Sequence, residues 1–248
     1  MTVLSSRILE ETGIVRFACS LRHGGVSRPP LDMNLSFNVG DDPACVEENR
    51  RRLLRHIDAG TEDLALPGQM HSATVRRADV PGQYDRCDGL MTDVAGLVLG
   101  VSVADCVPVF LVDRRLRVIG AIHAGWRGTA ANIAGAAVSA LALEYGCNPR
   151  DLVAFIGPSA GACCYVVGEE VAARFPPDLI SRKEGDPHVD LKAANLRQLL
   201  AAGLMAGQVE VSPRCTISEE SIFHSYRRDG ERSGRMMGVI RLLPPAIR

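Results

Sequence analysis

The segment GLVLGVSVADCVPVFLV, residues 96–112, is the starting point for predicting the fold. It is rich in Val and Leu, as buried strands are, and we place it on one or two such strands. Asp105, Cys106 and Pro108 interrupt it, so it is too polar and too short to span a membrane. The segment VIGAIH, residues 118–123, has the same character and predicts another buried strand.

Helical patterns occur on both sides of these strands. Asp42 followed by Pro43 indicates the start of one helix. Thr129 is predicted to cap a long Ala-rich helix over residues 130–145. Because strands and helices alternate unevenly, the pattern favours an α+β fold: a single layered α/β domain over residues 1–248, with mixed sheets covered by helices.

Charge and cysteine content exclude some classes of partner. Lys+Arg 28 and Asp+Glu 29 give a formal net charge of −1, so we expect no nucleic acid as a partner. Eight cysteines are far fewer than a disulfide-rich secreted protein carries. No basic start followed by an apolar segment precedes Gly13, so we expect no export signal, no membrane partner and a cytoplasmic location with reduced thiols. The oligomeric state stays open.

Three polar segments in apolar surroundings carry candidate metal ligands. They contain His71, Cys106 and His123, and imidazole nitrogen and thiolate sulfur are ligands that Zn²⁺ prefers. Three protein ligands leave a fourth tetrahedral position for water or substrate. The long spacings between the three residues enforce no local geometry, so packed core residues are the alternative interpretation.

The segment HAGWRGT, residues 123–129, indicates a substrate site. Gly125 and Gly128 let the backbone approach a ligand, and the following helix offers free N–H groups to an anion. Arg127 adds a guanidinium fork for phosphate or carboxylate, and Trp126 can stack on a heterocycle. The alternative is that Trp126 fills the core and Arg127 forms a surface ion pair.

Ten short segments in one order carry more information than any one of them. They are residues 34–42, 69–71, 88–92, 104–108, 123–128, 157–159, 163–165, 190–191, 215–216 and 223–228. In these segments the chain resembles, over nearly its full length, the YfiH-like family. That family was long named for a laccase domain or multicopper polyphenol oxidases, and was later described as zinc-dependent purine nucleoside phosphorylases. The resemblance implies a YfiH/CNF1-like fold and a metal bound by His71, Cys106 and His123.

The resemblance also implies an enzyme that acts on purine nucleosides and phosphate. It implies phosphorolysis of adenosine, inosine, guanosine or methylthioadenosine, and hydrolytic deamination of adenosine, with Zn²⁺ as the cofactor and Cu²⁺ as an alternative in the same site. Arg127 is predicted to hold phosphate. Asp105, beside Cys106, is predicted to orient that ligand or accept a proton, with Asp88 as a second candidate. Turn formation or capping is the alternative for both carboxylates.

Two other functions remain alternatives. A copper-dependent polyphenol oxidase would use the same ligands, although six His and no His-x-His pair are too few for a true multicopper laccase. A non-catalytic, metal-stabilised nucleotide-binding module would surround its metal with four protein ligands. One arginine of residues 50–52 could reach a phosphate. Residues 225–228 and Arg235 could form one wall of the substrate cleft. Cys163 is given no role.

Overall fold

The computed structural model describes residues 2–245. Its strands are β1 (Val3–Leu4), β2 (Val15–Ser20), β3 (Leu64–Pro67), β4 (Val75–Arg77), β5 (Gly82–Tyr84), β6 (Gly89–Thr92), β7 (Val98–Val103), β8 (Val107–Asp113), β9 (Val118–Ala124), β10 (Leu152–Ile156), β11 (Ile180–Lys183), β12 (Asp186–Val189), β13 (Val209–Val211) and β14 (Met236–Leu242). Its α-helices are α1 (Arg7–Glu10), α2 (Pro43–Arg55), α3 (Trp126–Ala130), α4 (Ile133–Tyr145), α5 (Glu169–Ala172), α6 (Leu191–Ala201) and α7 (Tyr226–Asp229).

Most of these strands belong to two six-stranded sheets. Sheet A has the order β1-β2-β14-β7-β3-β5, and sheet B has the order β13-β10-β8-β9-β6-β4. Each sheet combines antiparallel pairs with parallel ones, such as β3 with β7 in sheet A and β10 with β13 in sheet B. Strands β11 and β12 form a separate hairpin. The predicted α+β class with mixed sheets and covering helices is confirmed.

The two sheets pack face to face between layers of helix. Successive side chains of a strand point to opposite faces, and in β8 Phe110 packs with sheet A whereas Leu111 packs with α4 and α6. In β14, Ile240 likewise faces sheet B and Val239 faces α2. Both central strands are therefore apolar on both faces. This explains why residues 96–112 show a nearly continuous apolar run rather than strict alternation.

The capping prediction is right for one helix and wrong for the other. Asp42 caps α2, and its side chain accepts a hydrogen bond from the Ala44 N–H at 2.9 Å. The helix predicted over residues 130–145 is in fact two helices, α3 and α4, separated by Asn132 with a φ of +64°. Asn tolerates this left-handed conformation, which interrupts the helical hydrogen bonds. Thr129 lies inside α3, where its hydroxyl accepts a hydrogen bond from Asn195 at 3.0 Å instead of capping a helix.

Within residues 2–245, none of the helices combines the length and the apolar character that crossing a bilayer requires. All eight cysteines are free thiols. That residues 1–248 form one domain stays a prediction.

Candidate metal centre and cavity

Three segments far apart in the chain bring His71, Cys106 and His123 together. His71 lies in the loop from β3 to β4 and Cys106 in the turn from β7 to β8, and both connections cross from sheet A to sheet B. His123 lies in β9. One ligand atom from each residue is within 4.8 Å of the other two. The two imidazole rings lie edge to face, with centroids 5.1 Å apart. We refer to these residues as the His-Cys-His group.

The backbone that carries this group is strained and tied down. Gln69, His71 and Asp105 have φ values of +53°, +63° and +87°, a region that residues other than glycine rarely adopt. Such conformations cost about 1–3 kcal/mol each and persist where the surrounding structure enforces them. The Gln69 amide supplies part of that enforcement, because it donates to the Ser102 carbonyl at 2.7 Å and accepts from the Ser102 N–H at 2.9 Å.

Asp88 is the buried anchor of the group. Its carboxylate accepts hydrogen bonds from the N–H groups of His71 at 2.9 Å and Ser72 at 2.7 Å, and Nδ1 of His123 lies 2.9 Å from the same carboxylate. Burial by itself raises the pKa of the Asp88 carboxyl, but these donors outweigh it and lower the pKa to about 2. The ionised carboxylate holds the His123 ring by Nδ1, which leaves Nε2 available to bind a metal.

The electrostatics of the group favour a charged sulfur. Burial by itself raises the pKa of the Cys106 thiol, but the imidazoles of His123 and His71 lower it to about 6. Burial lowers the pKa of His123, but Cys106 and Asp88 raise it to about 9. Because thiolate is the form of cysteine that binds metal, two imidazoles and one thiolate fit a borderline-soft divalent ion such as Zn²⁺.

The predicted acid/base residue Asp105 lies next to the group and is fully engaged. Its carboxylate accepts hydrogen bonds from the hydroxyls of Thr216 at 2.7 Å and Ser225 at 3.0 Å, and from the N–H of Arg227 at 2.7 Å. Asp105 therefore ties the turn that holds Cys106 to the segment that leads into α7. Its predicted part in catalysis stays a prediction.

The glycines of residues 123–129 allow close packing at the group. A Cβ on Gly125 would lie 2.8 Å from Cδ2 of His71 and 3.2 Å from Sγ of Cys106, and a Cβ on Gly128 would lie 2.7 Å from the Ser72 carbonyl oxygen. Any larger residue at position 125 would push the ligands apart. Whether these glycines also contact substrate stays a prediction.

Trp126 and Arg127 are not brought into the cavity beside the group. Trp126 is half-buried against the core between sheet B and its helices. Arg127 is exposed, with its guanidinium 4.3 Å from the centre of the Trp126 ring. Neither residue lines the cavity, and their predicted contacts with phosphate and purine stay predictions.

A cavity of about 830 Å³ opens beside the His-Cys-His group, whose three residues form part of its wall. The size is that of a pocket for a small-molecule ligand, typically about 300–1,000 Å³. Its wall also includes residues that supply aromatic surface, guanidinium groups and amides, namely Phe37, Asn38, Arg50, Gln69, Tyr226 and Arg235.

Two arginines of this wall are stacked on aromatic rings. The Arg50 guanidinium lies 4.5 Å from the centre of the Phe37 ring, and the Arg235 guanidinium lies 5.1 Å from that of Tyr226. Burial lowers the pKa of both arginines. In the sequence, Arg50 is one of three consecutive arginines that the pattern does not distinguish. Phe37 is marked there only by its place in the motif of residues 34–42.

Comparison with known proteins gives concordant matches. The family model described as "Multi-copper polyphenol oxidoreductase laccase" matches residues 16–243. The purine nucleoside phosphorylase YlmD of Geobacillus stearothermophilus is 38% identical over 238 residues, which cover 88% of this chain and 87% of that protein. A protein named adenosine deaminase RL5, from an unknown prokaryotic organism, is 37% identical over 221 residues, with coverage of 82% and 84%.

Solved structures agree with these matches. The crystal structure of YlmD from Geobacillus stearothermophilus has a TM-score of 0.88 and 36% identity, covering 93% of this chain and 92% of that chain. The Bacillus licheniformis hypothetical protein YfiH has a TM-score of 0.86 and 34% identity, covering 92% of both chains. The resemblance drawn from the sequence motifs is confirmed.

Proposed function

The chain belongs to the multi-copper polyphenol oxidoreductase laccase family, and from this premise we propose that it is a zinc-dependent purine nucleoside phosphorylase that also deaminates adenosine and cleaves methylthioadenosine. The observation that carries the proposal is the His-Cys-His group in the wall of a cavity large enough for a nucleoside. The names of the relatives YlmD and RL5 supply the substrate class and the two reactions.

We propose Zn²⁺ as the ion that His71, Cys106 and His123 hold, with Cu²⁺ as the alternative. When bound, Zn²⁺ supplies a Lewis acid that lowers the pKa of water to about 7. Asp88 holds the His123 ring by its Nδ1 and the His71 loop by its N–H groups. All three residues line the cavity, and His71 is the exposed one, so reactants approach the metal through the cavity.

Phosphorolysis requires a site for phosphate, and Arg50 and Arg235 are the residues we propose for it. Both line the cavity, and burial makes a charge-assisted hydrogen bond to an anion stronger than it is in water. The Arg50 Nε donates to the Leu35 carbonyl at 2.9 Å, which orients the guanidinium. Arg127, predicted from the sequence, remains the competing candidate for phosphate.

The same cavity offers surfaces for the purine. Phe37 and Tyr226 lie at its wall and are 44% and 50% exposed, so we propose their rings as surfaces on which a heterocycle stacks. Trp126, Gly125 and Gly128 stay in the proposal as further substrate contacts. We place the protein in the cytoplasm as a single domain, with no nucleic acid or membrane as a partner.

The test is product analysis on metal-quantified protein. Adenosine is incubated with and without phosphate, and adenine, inosine and hypoxanthine are separated. We expect phosphate-dependent adenine and phosphate-independent inosine, and we expect both to disappear in His71→Ala, Cys106→Ala and His123→Ala as the metal is lost. Wild-type rates in metal-free variants that remain folded would contradict the proposal.

A copper-dependent phenol oxidase is the second candidate, because the family description names that activity. Copper binds N/S ligand sets at least as tightly as zinc. Protein loaded only with zinc and protein loaded only with copper separate the two candidates. Oxidation of phenols by the copper form, together with no nucleoside turnover by the zinc form, would favour the oxidase. A structural-metal module would need a fourth protein ligand, and within the described residues the group comprises three.

A further inference from the structure

A second group of metal-ligating side chains lies apart from the His-Cys-His group. The sulfurs of Cys163, Cys164 and Cys215 are all within 4.8 Å of one another, and those of Cys163 and Cys164 are 3.3 Å apart. Cys163 is exposed, Cys164 is half-buried and Cys215 is buried. An ion could therefore enter from solvent at Cys163. We refer to these residues as the three-thiol cluster.

The backbone around Gly161 holds the three cysteines close to one another. A Cβ on Gly161 would lie 3.2 Å from Sγ of Cys163 and 3.3 Å from Sγ of Cys215, so a side chain at this position would press on both sulfurs. The Gly161 N–H donates to Sγ of Cys215 at 3.3 Å, and its carbonyl accepts from the Cys164 N–H at 3.0 Å. A parallel bridge between Ser159 and Cys215 joins the two segments.

Both lysines of the chain donate to backbone carbonyls beside or within the cluster. Lys183 and Lys192 are the only lysines in the sequence. The Lys183 ammonium donates to the carbonyl of Cys163 at 3.0 Å. The Lys192 ammonium donates to the carbonyls of Ser212 at 3.0 Å and Arg214 at 2.9 Å, immediately before Cys215. Two ammonium groups at this place would offset the negative charge that metal binding creates when the thiols lose their protons.

We propose that Cys163, Cys164 and Cys215 form a second metal site, in which three thiolates bind a soft ion, with Cu(I) as the ion that fits it. Thiolates select soft ions such as Cu(I), and within the described residues no His, Asp or Glu joins the cluster. Each bound thiol releases its proton to solvent, and no electron is transferred. This proposal is independent of the nucleoside chemistry proposed for the His-Cys-His group.

The distances admit such an ion without rearrangement of the fold. Three sulfurs that are mutually within 4.8 Å have a common point within about 2.8 Å of each, and a metal–thiolate bond is about 2.3 Å. Side-chain rotations that move each sulfur by about half an ångström or less would bring all three to bonding distance. The pair of adjacent cysteines supplies two of the ligands from one turn, so only Cys215 depends on tertiary structure.

The test is an anaerobic titration of reduced protein with Cu(I), in competition with a chromophoric Cu(I) chelator. The variant His71→Ala/Cys106→Ala/His123→Ala, which lacks the first site, is expected to bind one Cu(I), with only sulfur neighbours in its X-ray absorption spectrum. Adding Cys163→Ser, Cys164→Ser and Cys215→Ser is expected to abolish that binding. Adding Cys45→Ser instead, a half-buried thiol outside both groups, is the matched control and should retain it.

A substitution of exposed Cys163 separates loss of metal binding from loss of the fold. Cys163→Ser is expected to leave the melting temperature nearly unchanged and to weaken Cu(I) binding by at least ~10-fold, since even outer partners of a metal site are worth ~10–100-fold. The proposal is overturned if the protein lacking the first site binds Cu(I) no tighter than its three-serine derivative, or if nitrogen neighbours replace sulfur in the spectrum.

Discussion

The His-Cys-His group and the three-thiol cluster are both sets of three metal-ligating side chains, yet their surroundings differ. The first has mixed nitrogen and sulfur donors, a buried carboxylate at its back and a cavity of about 830 Å³ at its front. The second has only sulfur donors and two lysines nearby, and none of its residues lines that cavity. Because the donors differ in softness, we expect the two groups to bind different ions. Of the two, the first group borders the cavity that we propose for the substrate.

The largest effect is expected for a substitution of one cysteine, Cys106, which should affect the first group and not the second. Cys106→Ser should lower the bound zinc and the rate of inosine formation by more than ~100-fold, because a direct ligand matters more than an outer partner. The Cu(I) of the three-thiol cluster should remain. Metal analysis and product separation measure both, with Cys45→Ser as the control. Loss of both ions from a folded variant would show that the two groups are not separate.

The carboxylate behind the first group gives the next effect. Asp88→Asn removes the charged acceptor for His123 and should lower zinc affinity by ~10–100-fold, measured by competition with a chelator. Glu170→Gln changes an exposed carboxylate and should leave the affinity unchanged. Equal affinities of wild type and Asp88→Asn would mean that the His123 ring does not need this partner.

The cavity can be tested with arginines of one helix. Arg50→Ala should lower kcat/KM for phosphate in phosphorolysis by ~10–100-fold, as expected for a lost charge-assisted hydrogen bond of about 1.5–3 kcal/mol. Deamination without phosphate should change little. Arg51→Ala, at the exposed neighbouring position, is the matched control. A larger loss in Arg127→Ala than in Arg50→Ala would move the phosphate site to residues 123–129.

The smallest effect is a dependence of stability on pH in the metal-free protein. The pKa of Asp88 is lowered from 3.8 to about 2 in the fold. Its contribution to stability is therefore present above about pH 4 and lost as the pH falls towards 2. The melting temperature of wild type should exceed that of Asp88→Asn at pH 5, and the difference should shrink between pH 4 and pH 2. A constant difference would contradict the assigned pKa.

Several elements could be predicted from local pattern alone. The strand predicted over residues 118–123 corresponds to β9, and the apolar run of residues 96–112 corresponds to β7 and β8. These succeed because a buried strand imposes its composition on every residue. The helix predicted from Thr129 is wrong because Asn132 adopts a left-handed conformation between α3 and α4. The Thr129 hydroxyl accepts a hydrogen bond from Asn195 of α6 instead of capping a helix.

The candidate site divides in the same way. The sequence identified His71, Cys106 and His123 by donor chemistry and motif order, and the structure brings them together. It gave the more prominent role to Asp105, whereas Asp88 contacts two of the three residues. The sequence pointed to Arg127 because its motif is visible in the chain, whereas the place of Arg50 in the cavity wall is visible only in the structure.

The sequence by itself determined the kinds of donor, the strands that carry them and the family. Tertiary structure decided which donors meet, which carboxylate lies behind them and which arginines face the cavity. The physical reason is the distance along the chain over which each property is set. Periodicity, capping and side-chain chemistry are properties of neighbouring residues, whereas a ligand set such as Cys215 with Cys163 exists only after segments of two distant parts of the chain have packed together.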